Sequence, residues 1–287
     1  MPKPPTSASS AAGPVAESIL RFDRVSVLYD GDPVLDNVSF TLAAGETRVI
    51  LGAAGAGKTV LLKTALGLIQ PDQGRVSLFN QQITGLRERD LFAIRAQVGM
   101  LFQESALFDS MTIAENVAYP LINQPGSRVP DDEVLPRVEA ILKDVELEHT
   151  LDKFPSELSG GMRRRVGIAR ANVTYPKLVF YDSPTAGLDP ITANNIMTLV
   201  IQQRDQRNTT TVIVSHRLQD GAMLANYRFN SKTGKIERQA HAAELGQRTK
   251  FMVLQKGRLV FEGTEDELHV SRDSYVGKFV IPQAQSA

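Results

Sequence analysis

The sequence predicts an α/β fold: a parallel sheet covered by helices, preceded by an antiparallel β subdomain and interrupted by a helical subdomain. Three observations carry this. The stretch Gly52-Ala53-Ala54-Gly55-Ala56-Gly57-Lys58-Thr59 fits G-x-x-x-x-G-K-[ST] and lies between 47–51, which reads as a short buried strand, and an amphipathic stretch, 60–69. Two further continuous apolar runs, 178–181 and 210–214, suit strands buried on both faces. Between them, 191–204 has the pattern of a crossover helix, and alternating strand and helix imply a parallel sheet.

In order along the chain, residues 1–17 are rich in Pro, Ser and Ala and read as a disordered tail without the apolar middle of a secretory signal. The runs 19–22 and 25–29 read as edge strands, 30–33 as a turn, and 34–42 as another strand pair. A helix follows the glycine-rich stretch, with Leu61, Leu62, Ala65, Leu66 and Ile69 on one face. Pro71 to Gly74 break the chain, and 75–79 returns as a strand. From about 90 to 160 helical patterns dominate, at 91–96, 112–119 and 131–145, with Pro125, Gly126 and Pro130 marking a loop. This block is expected as a helical subdomain. A polar turn at 230–235 sits within an unusually long segment, 229–247, expected as an insertion. Strands are expected at 250–254 and 258–262, and 271–287 as a C-terminal tail, loose at 283–287.

The chain of 287 residues is 42% hydrophobic, with 32 basic and 32 acidic residues. That balance lacks the basic excess of a general nucleic-acid binder, so no nucleic-acid partner is expected. There is no cysteine, hence no disulfide framework or thiolate metal site. No run of about 18 apolar residues exists, so a soluble chain that reaches membranes through partners is expected.

The stretch 52–59 reads as a phosphate-binding loop. Glycines at 52, 55 and 57 let successive N–H groups converge on an anion, and the following helix adds partial positive charge at its N-terminus. Lys58 supplies a full charge, and the Thr59 hydroxyl can ligate Mg²⁺. A second element is the apolar strand 178–182 ending in Asp182, where a Mg²⁺-coordinating carboxylate sits in P-loop ATPases. A third is Leu158-Ser159-Gly160-Gly161-Met162, opening a helix to about 173: Ser159 is a natural N-cap, and the two glycines let a partner approach closely. In isolation this is an ordinary capped helix, and Arg163, Arg164 and Arg165 read as a solvated face rather than a phosphate clamp.

Read together and in order, the loop 52–59, Gln103 in Leu101-Phe102-Gln103-Glu104, the pentapeptide 158–162, Leu178 to Asp182, Ala186-Gly187-Leu188-Asp189 and Ser215-His216 resemble the ATP-binding subunit of ABC transporters, over about residues 18–270. The resemblance implies a P-loop NTPase of RecA-like core with ATP and Mg²⁺ as cofactors. It implies two copies, expected as a homodimer, facing head to tail with each ATP between the loop 52–59 of one and Ser159, Gly160 and Gly161 of the other. Tyr29 would stack on adenine. Thr59, Gln103 and Asp182 would hold Mg²⁺. Gln103 would also contact the attacking water, His216 would sense the γ-phosphate, and Asp189 would sit at the dimer seam. A permease would be the membrane partner, its coupling helix docking near Gln103 and the helical block, with the ATPase on the cytoplasmic face of the inner membrane.

A narrower resemblance, carried by 98–103, 106–112, 115–121 and 187–191, is to the Mce/Mla-type ATPases, which drive lipid movement between bacterial membranes; it implies an Mce-type substrate-binding protein as a further partner. Two departures stand out. Ala54 replaces a small polar residue frequent in the loop, and Ser183 follows Asp182 where the family usually has Glu. A serine hydroxyl is no base at neutral pH, and general-base help is worth about 10²–10⁴-fold. Three readings follow: slow hydrolysis in a homodimer, the degenerate half of a heterodimer, or an ATP-dependent dimerisation switch. Glu104 is a conceivable substitute carboxylate. An ABC-type switch acting on nucleic acid or ribosomes is the other class, disfavoured by the single cassette and the lack of sustained heptads.

Overall fold

The structure, a computed structural model, describes residues 18–125, 128–239 and 248–280. The expected tail 1–17, the loop glycine 126, the rest of the insertion (240–247) and the end 281–287 lie outside the described residues.

The chain begins with two long strands, β1 (Ser18–Tyr29) and β2 (Asp32–Ala43). They pair antiparallel, and β1 also pairs with β4 (Gln73–Leu78), which carries the short β5 (Gln81–Gln82). The order β2-β1-β4-β5 corrects the expectation of edge strands: β1 is one interior strand, and 34–42 is one strand rather than a pair. The interruption at 23–24 that suggested two pieces is a register shift between Phe22 and Val25, with Arg24 at φ +50°.

The main sheet has the order β12-β11-β3-β8-β7-β6, formed by β3 (Thr47–Leu51), β6 (Val98–Leu101), β7 (Leu178–Asp182), β8 (Thr210–Val214), β11 (Thr249–Gln255) and β12 (Arg258–Gly263). All neighbours are parallel except β11 and β12. Strands β3, β7 and β8 are buried at every residue, as their uninterrupted apolar character requires. Alternation divides their side chains between two cores. Val49, Leu51, Val179, Tyr181 and Ile213 face the helices, whereas Ile50, Leu178, Phe180, Val212 and Val214 face the antiparallel sheet and α1 (Lys58–Ala65). Arg48 is the buried cation of β3, bonded to Glu262 at 2.8 Å and to the Thr41 carbonyl at 2.6 Å.

The helices include α2 (Glu88–Arg95), α3 (Ile113–Asn123), α4 (Asp131–Asp144), α5 (Gly160–Asn172), α6 (Pro190–Arg207) and α7 (Leu218–Asn226). The block expected as helical is interrupted by β6, the edge strand of the main sheet; four residues are too few for the helical periodicity around them to yield. Thr112 and Glu115 close a capping box on α3, and Asn116, wholly buried, bonds to the Phe108, Met111 and Thr112 carbonyls.

The expected insertion opens as a hairpin of β9 (Tyr227–Asn230) and β10 (Lys235–Arg238), held to α6 by Asp205, which receives hydrogen bonds from Arg228 Nη1 and the Phe229 amide. Two short helices end the described chain, α8 (Glu265–His269) and α9 (Ser274–Val280). Where the sequence suggests a tail from 271, residues 274–280 are instead a helix anchored by the buried Val276.

Candidate functional site

Four neighbouring parallel strands, β3, β8, β7 and β6, deliver the loop 52–59, Ser215-His216, Asp182-Ser183 and Phe102-Gln103 side by side at their C-terminal ends. Carboxyl ends of parallel strands are where open α/β sheets bind ligands.

The loop leaves β3 and turns into α1 through Gly57, which sits at φ +100°. Substitution there is blocked twice over: a Cβ would also lie 2.6 Å from the Val34 carbonyl. A Cβ on Gly52 would lie 2.8 Å from the Leu254 carbonyl, so the neighbouring strand packs directly on the loop's first residue. The turn after β11 closes it from outside, with Gly257 N donating to Ala56 O at 3.2 Å. Ala53, Ala54 and Gly55 are exposed along the loop's crest, while Ala56 is buried. Ala54 puts only a methyl group on that crest.

Lys58 is 7% exposed, and its Nζ donates to the Gly52 and Ala53 carbonyls, both at 2.8 Å. Burial pushes its pKa below the ordinary lysine value, and the Asp182 charge opposes that. Thr59 Oγ1 donates to Asp182 Oδ2 at 3.3 Å, joining the first two predicted elements across 123 residues. Ser183 Oγ donates to Asp182 Oδ1 at 3.1 Å, and Ser183 is held in the left-handed region at φ +52°. Each carboxylate oxygen of Asp182 therefore receives one hydroxyl.

His216 follows β8, and burial, with the Lys58 charge next, pushes its pKa below the ordinary imidazole value; a hydrogen bond to the Gly52 backbone and the Asp182 charge oppose the shift. The residue is exposed, so the desolvation is partial. Behind it, Asp220 of α7 is 1% exposed, and its Oδ2 accepts from Ser215 Oγ and Thr185 Oγ1, both at 2.6 Å. This carboxylate ties the loop after β7 to the end of β8. Sequence reasoning missed it, because Asp220 stands among helix residues with no motif around it.

Arg164 is the second omission. The tri-arginine run is only partly a solvated face: Arg164 is 7% exposed, and its guanidinium reaches the carbonyls of Gln103, Phe102 and Ala186. Arg163 bonds to the Leu158 carbonyl, and Arg165 to Val145 O and Glu146. Arg164 thus fastens the backbone at Gln103 to the loop that leads to Asp189. Gln103 and Glu104 are themselves exposed.

The remaining predicted residues lie on other elements. Ser159 caps α5, its hydroxyl accepting from Met162 N at 3.3 Å. A Cβ on Gly160 would meet nothing within 4 Å, and one on Gly161 only the Thr192 methyl at 3.0 Å. Asp189 caps α6, its Oδ1 accepting from Ile191 N and Thr192 N, each at 3.0 Å; the Thr192 hydroxyl first, and then these amides, hold its pKa below the usual carboxylate value. Tyr29 ends β1, half-exposed, opposite Asp32 in the hairpin whose second strand runs past Gly57. Among the described residues no group of three or more His, Asp or Glu side chains could hold a metal by itself. None of the described helices is long and apolar enough to cross a membrane.

Comparison with known proteins accords with this geometry. Residues 35–186 match the family model described as ABC transporter. The intermembrane phospholipid transport system ATP-binding protein MlaF of Haemophilus influenzae is 34% identical over 251 residues, 87% of this chain and 86% of that protein. The methionine import ATP-binding protein MetN 2 of Bacillus cereus is 36% identical over 204 residues, 70% of this chain but 59% of that protein. Among solved structures, a dimeric ATP-binding cassette in a post-hydrolysis state bound to ADP and Pi superposes with a TM-score of 0.69 at 27% identity, covering 85% of this chain and 98% of that one. The structure of cbiO1 from Clostridium perfringens, part of the ABC transporter complex cbiONQ, gives 0.71 at 26% identity, covering 92% and 93%. The chain belongs to the ABC transporter family, as an ATP-binding subunit with the fold of its ATPases.

Proposed function

We propose that this subunit powers lipid movement between membranes in a Mla-type transporter, binding ATP with Mg²⁺ in a homodimer and hydrolysing it slowly. The observation that carries the lipid reading is the extent of likeness to the Haemophilus MlaF, which runs through 86% of that protein where the MetN match stops at 59%. ATP phosphates enter the cradle of 52–59, with Lys58 turning its ammonium from the Gly52 and Ala53 carbonyls toward them.

Thr59 and Asp182, 3.3 Å apart, offer the hard oxygen donors that Mg²⁺ takes together with nucleotide phosphates, and Gln103 adds a third from the neighbouring strand end. When bound, Mg²⁺ supplies neutralisation of phosphate charge. Gln103 orients water, and His216, kept neutral by its lowered pKa, presents an imidazole hydrogen bond rather than a second cation. The open space over Gly160 admits the nucleotide of a second copy to the α5 N-terminus. Tyr29 offers its exposed ring to the base, and Asp189 lies at the seam of the two copies.

The membrane partner meets the helical block. A groove of about 510 Å³ runs between α3 and α4, with Met111, Tyr119, Ile122 and Leu135 on its walls. Ile122 and Leu135 are about half exposed, which suits an amphipathic coupling helix of a permease on the cytoplasmic face of the membrane. An Mce-type substrate-binding protein completes the assembly. The reading is tested by purifying the tagged subunit with its membrane partners and following labelled phospholipid between vesicle populations. ATP-dependent phospholipid transfer supports it; a complex whose ATPase responds to methionine and moves no lipid contradicts it.

A further inference from the structure

Helix α9 begins where Asp273 Oδ1 accepts from Tyr275 N at 2.7 Å and Val276 N at 2.9 Å. Val276 is buried, and the Tyr275 ring meets Phe279 edge-on at 5.5 Å, so the helix is docked and the tyrosine held in one direction. Its hydroxyl makes two hydrogen bonds. It accepts from Ala53 N at 3.1 Å, in the phosphate-binding loop, and donates to the Leu254 carbonyl at 3.2 Å, at the end of β11. A phenol has one proton to give, and here the donor goes to the strand and the acceptor to the loop.

The amide of Ala53 and the carbonyl of Gly52 belong to one peptide unit, and that unit is planar. Fixing the direction of the N–H fixes the direction of the C=O. The Gly52 carbonyl is the group that accepts from Lys58 Nζ at 2.8 Å. A residue 222 positions away thus bonds to the same peptide unit on which Lys58 is anchored.

We propose that Tyr275 is a positioning residue of the nucleotide site, its hydroxyl setting the orientation of the Gly52–Ala53 peptide and through it the placement of Lys58. Docking of α9 and occupation of the loop are then coupled, and coupling is reciprocal: whatever factor Tyr275 adds to ATP affinity, ATP returns to the stability of the docked helix. The inference rests on the nucleotide-binding reading of residues 52–59.

The test is Tyr275→Phe in the full-length chain, which deletes one oxygen and keeps the ring against Phe279. Affinity for ATP is measured with Mg²⁺ present, steady-state hydrolysis gives KM and kcat, and hydrogen exchange follows amides 274–280 with and without ATP. One uncharged hydrogen bond accounts for a loss of roughly threefold to tenfold in affinity, about 0.7–1.4 kcal/mol. KM rises by that factor while kcat at saturating ATP changes less than twofold. In the wild type, ATP slows exchange at 274–280 by a similar factor, and in the variant it does not. Unchanged ATP affinity overturns the proposal, including where the variant melts at a lower temperature, since Tyr275 would then serve packing alone. Tighter ATP binding overturns it too, by making the hydroxyl a competitor for the loop. Failure of the wild type to bind ATP would instead contradict the reading of 52–59 itself.

Discussion

Ser183 Oγ donates its proton to Asp182 Oδ1 at 3.1 Å, so the residue at which the resemblance leads one to expect a glutamate acts toward its neighbour as a donor. A hydroxyl in that orientation steadies a carboxylate. It does not take a proton from water. Ser183 is held in the left-handed region at φ +52°, and its amide donates to the Val214 carbonyl at 2.9 Å, so the turn after β7 is fixed by its own backbone. Phosphate cradle, strand order and the Asp182–Thr59 contact remain in place, which separates the means of holding ATP from the means of activating water.

Lys58→Ala is expected to weaken ATP binding by at least about tenfold, the loss of roughly one charged hydrogen bond to phosphate. The same variant reports on His216. Its pKa is depressed by burial and then by the Lys58 charge, so removing the lysine raises the His216 titration midpoint, read by NMR of the assigned imidazole. A histidine whose folded pKa lies below its unfolded value contributes stability that is present above the ordinary imidazole pKa and lost as pH falls through the folded one. Lys58→Ala therefore flattens the acid side of the stability profile. A midpoint that stays put or falls contradicts the assignment.

Asp220→Ala leaves the Ser215 and Thr185 hydroxyls buried without their shared acceptor. The expected cost is on the order of 2–4 kcal/mol in urea unfolding. Asp220→Asn keeps an oxygen of similar shape and is expected to recover about half of it. A loss under about 0.5 kcal/mol for the alanine variant would show that this carboxylate does not tie β7 to β8.

Leu135→Asp places a charge on the wall of the α3–α4 groove at a position already half exposed, so folding is expected to be unchanged within about 0.5 kcal/mol. Recovery of the membrane subunits with the tagged chain is expected to fall severalfold, while ATP binding by the free subunit stays as it was. Full recovery of the complex would move the docking site elsewhere.

Much of this arrangement is legible in the sequence because its signals are local. The loop 52–59 needs only its own glycines, lysine and flanking strand; β7 and β8 declare themselves by their apolar character; Ser159 caps its helix as its residue type suggests. What sequence reading misplaced depends on partners far along the chain. Strand β1 is interior only because β4 pairs on its free side, and β6 is a strand only because β7 lies beside it. Arg164 looks like its neighbours until the carbonyls of 102, 103 and 186 converge on it. Asp220 and Tyr275 carry no local pattern at all; their meaning comes from Ser215, Thr185, Ala53 and Leu254, brought to them by the sheet.

The central claim is that this site holds ATP well and cleaves it slowly because Ser183 cannot serve as a base. Single-turnover hydrolysis by the assembled transporter, wild type against Ser183→Glu, tests it most directly. Restoring a carboxylate is expected to raise the rate by about 10²-fold or more, within the range of general-base catalysis, with ATP affinity unchanged within about threefold. Equal single-turnover rates for the two proteins would contradict it.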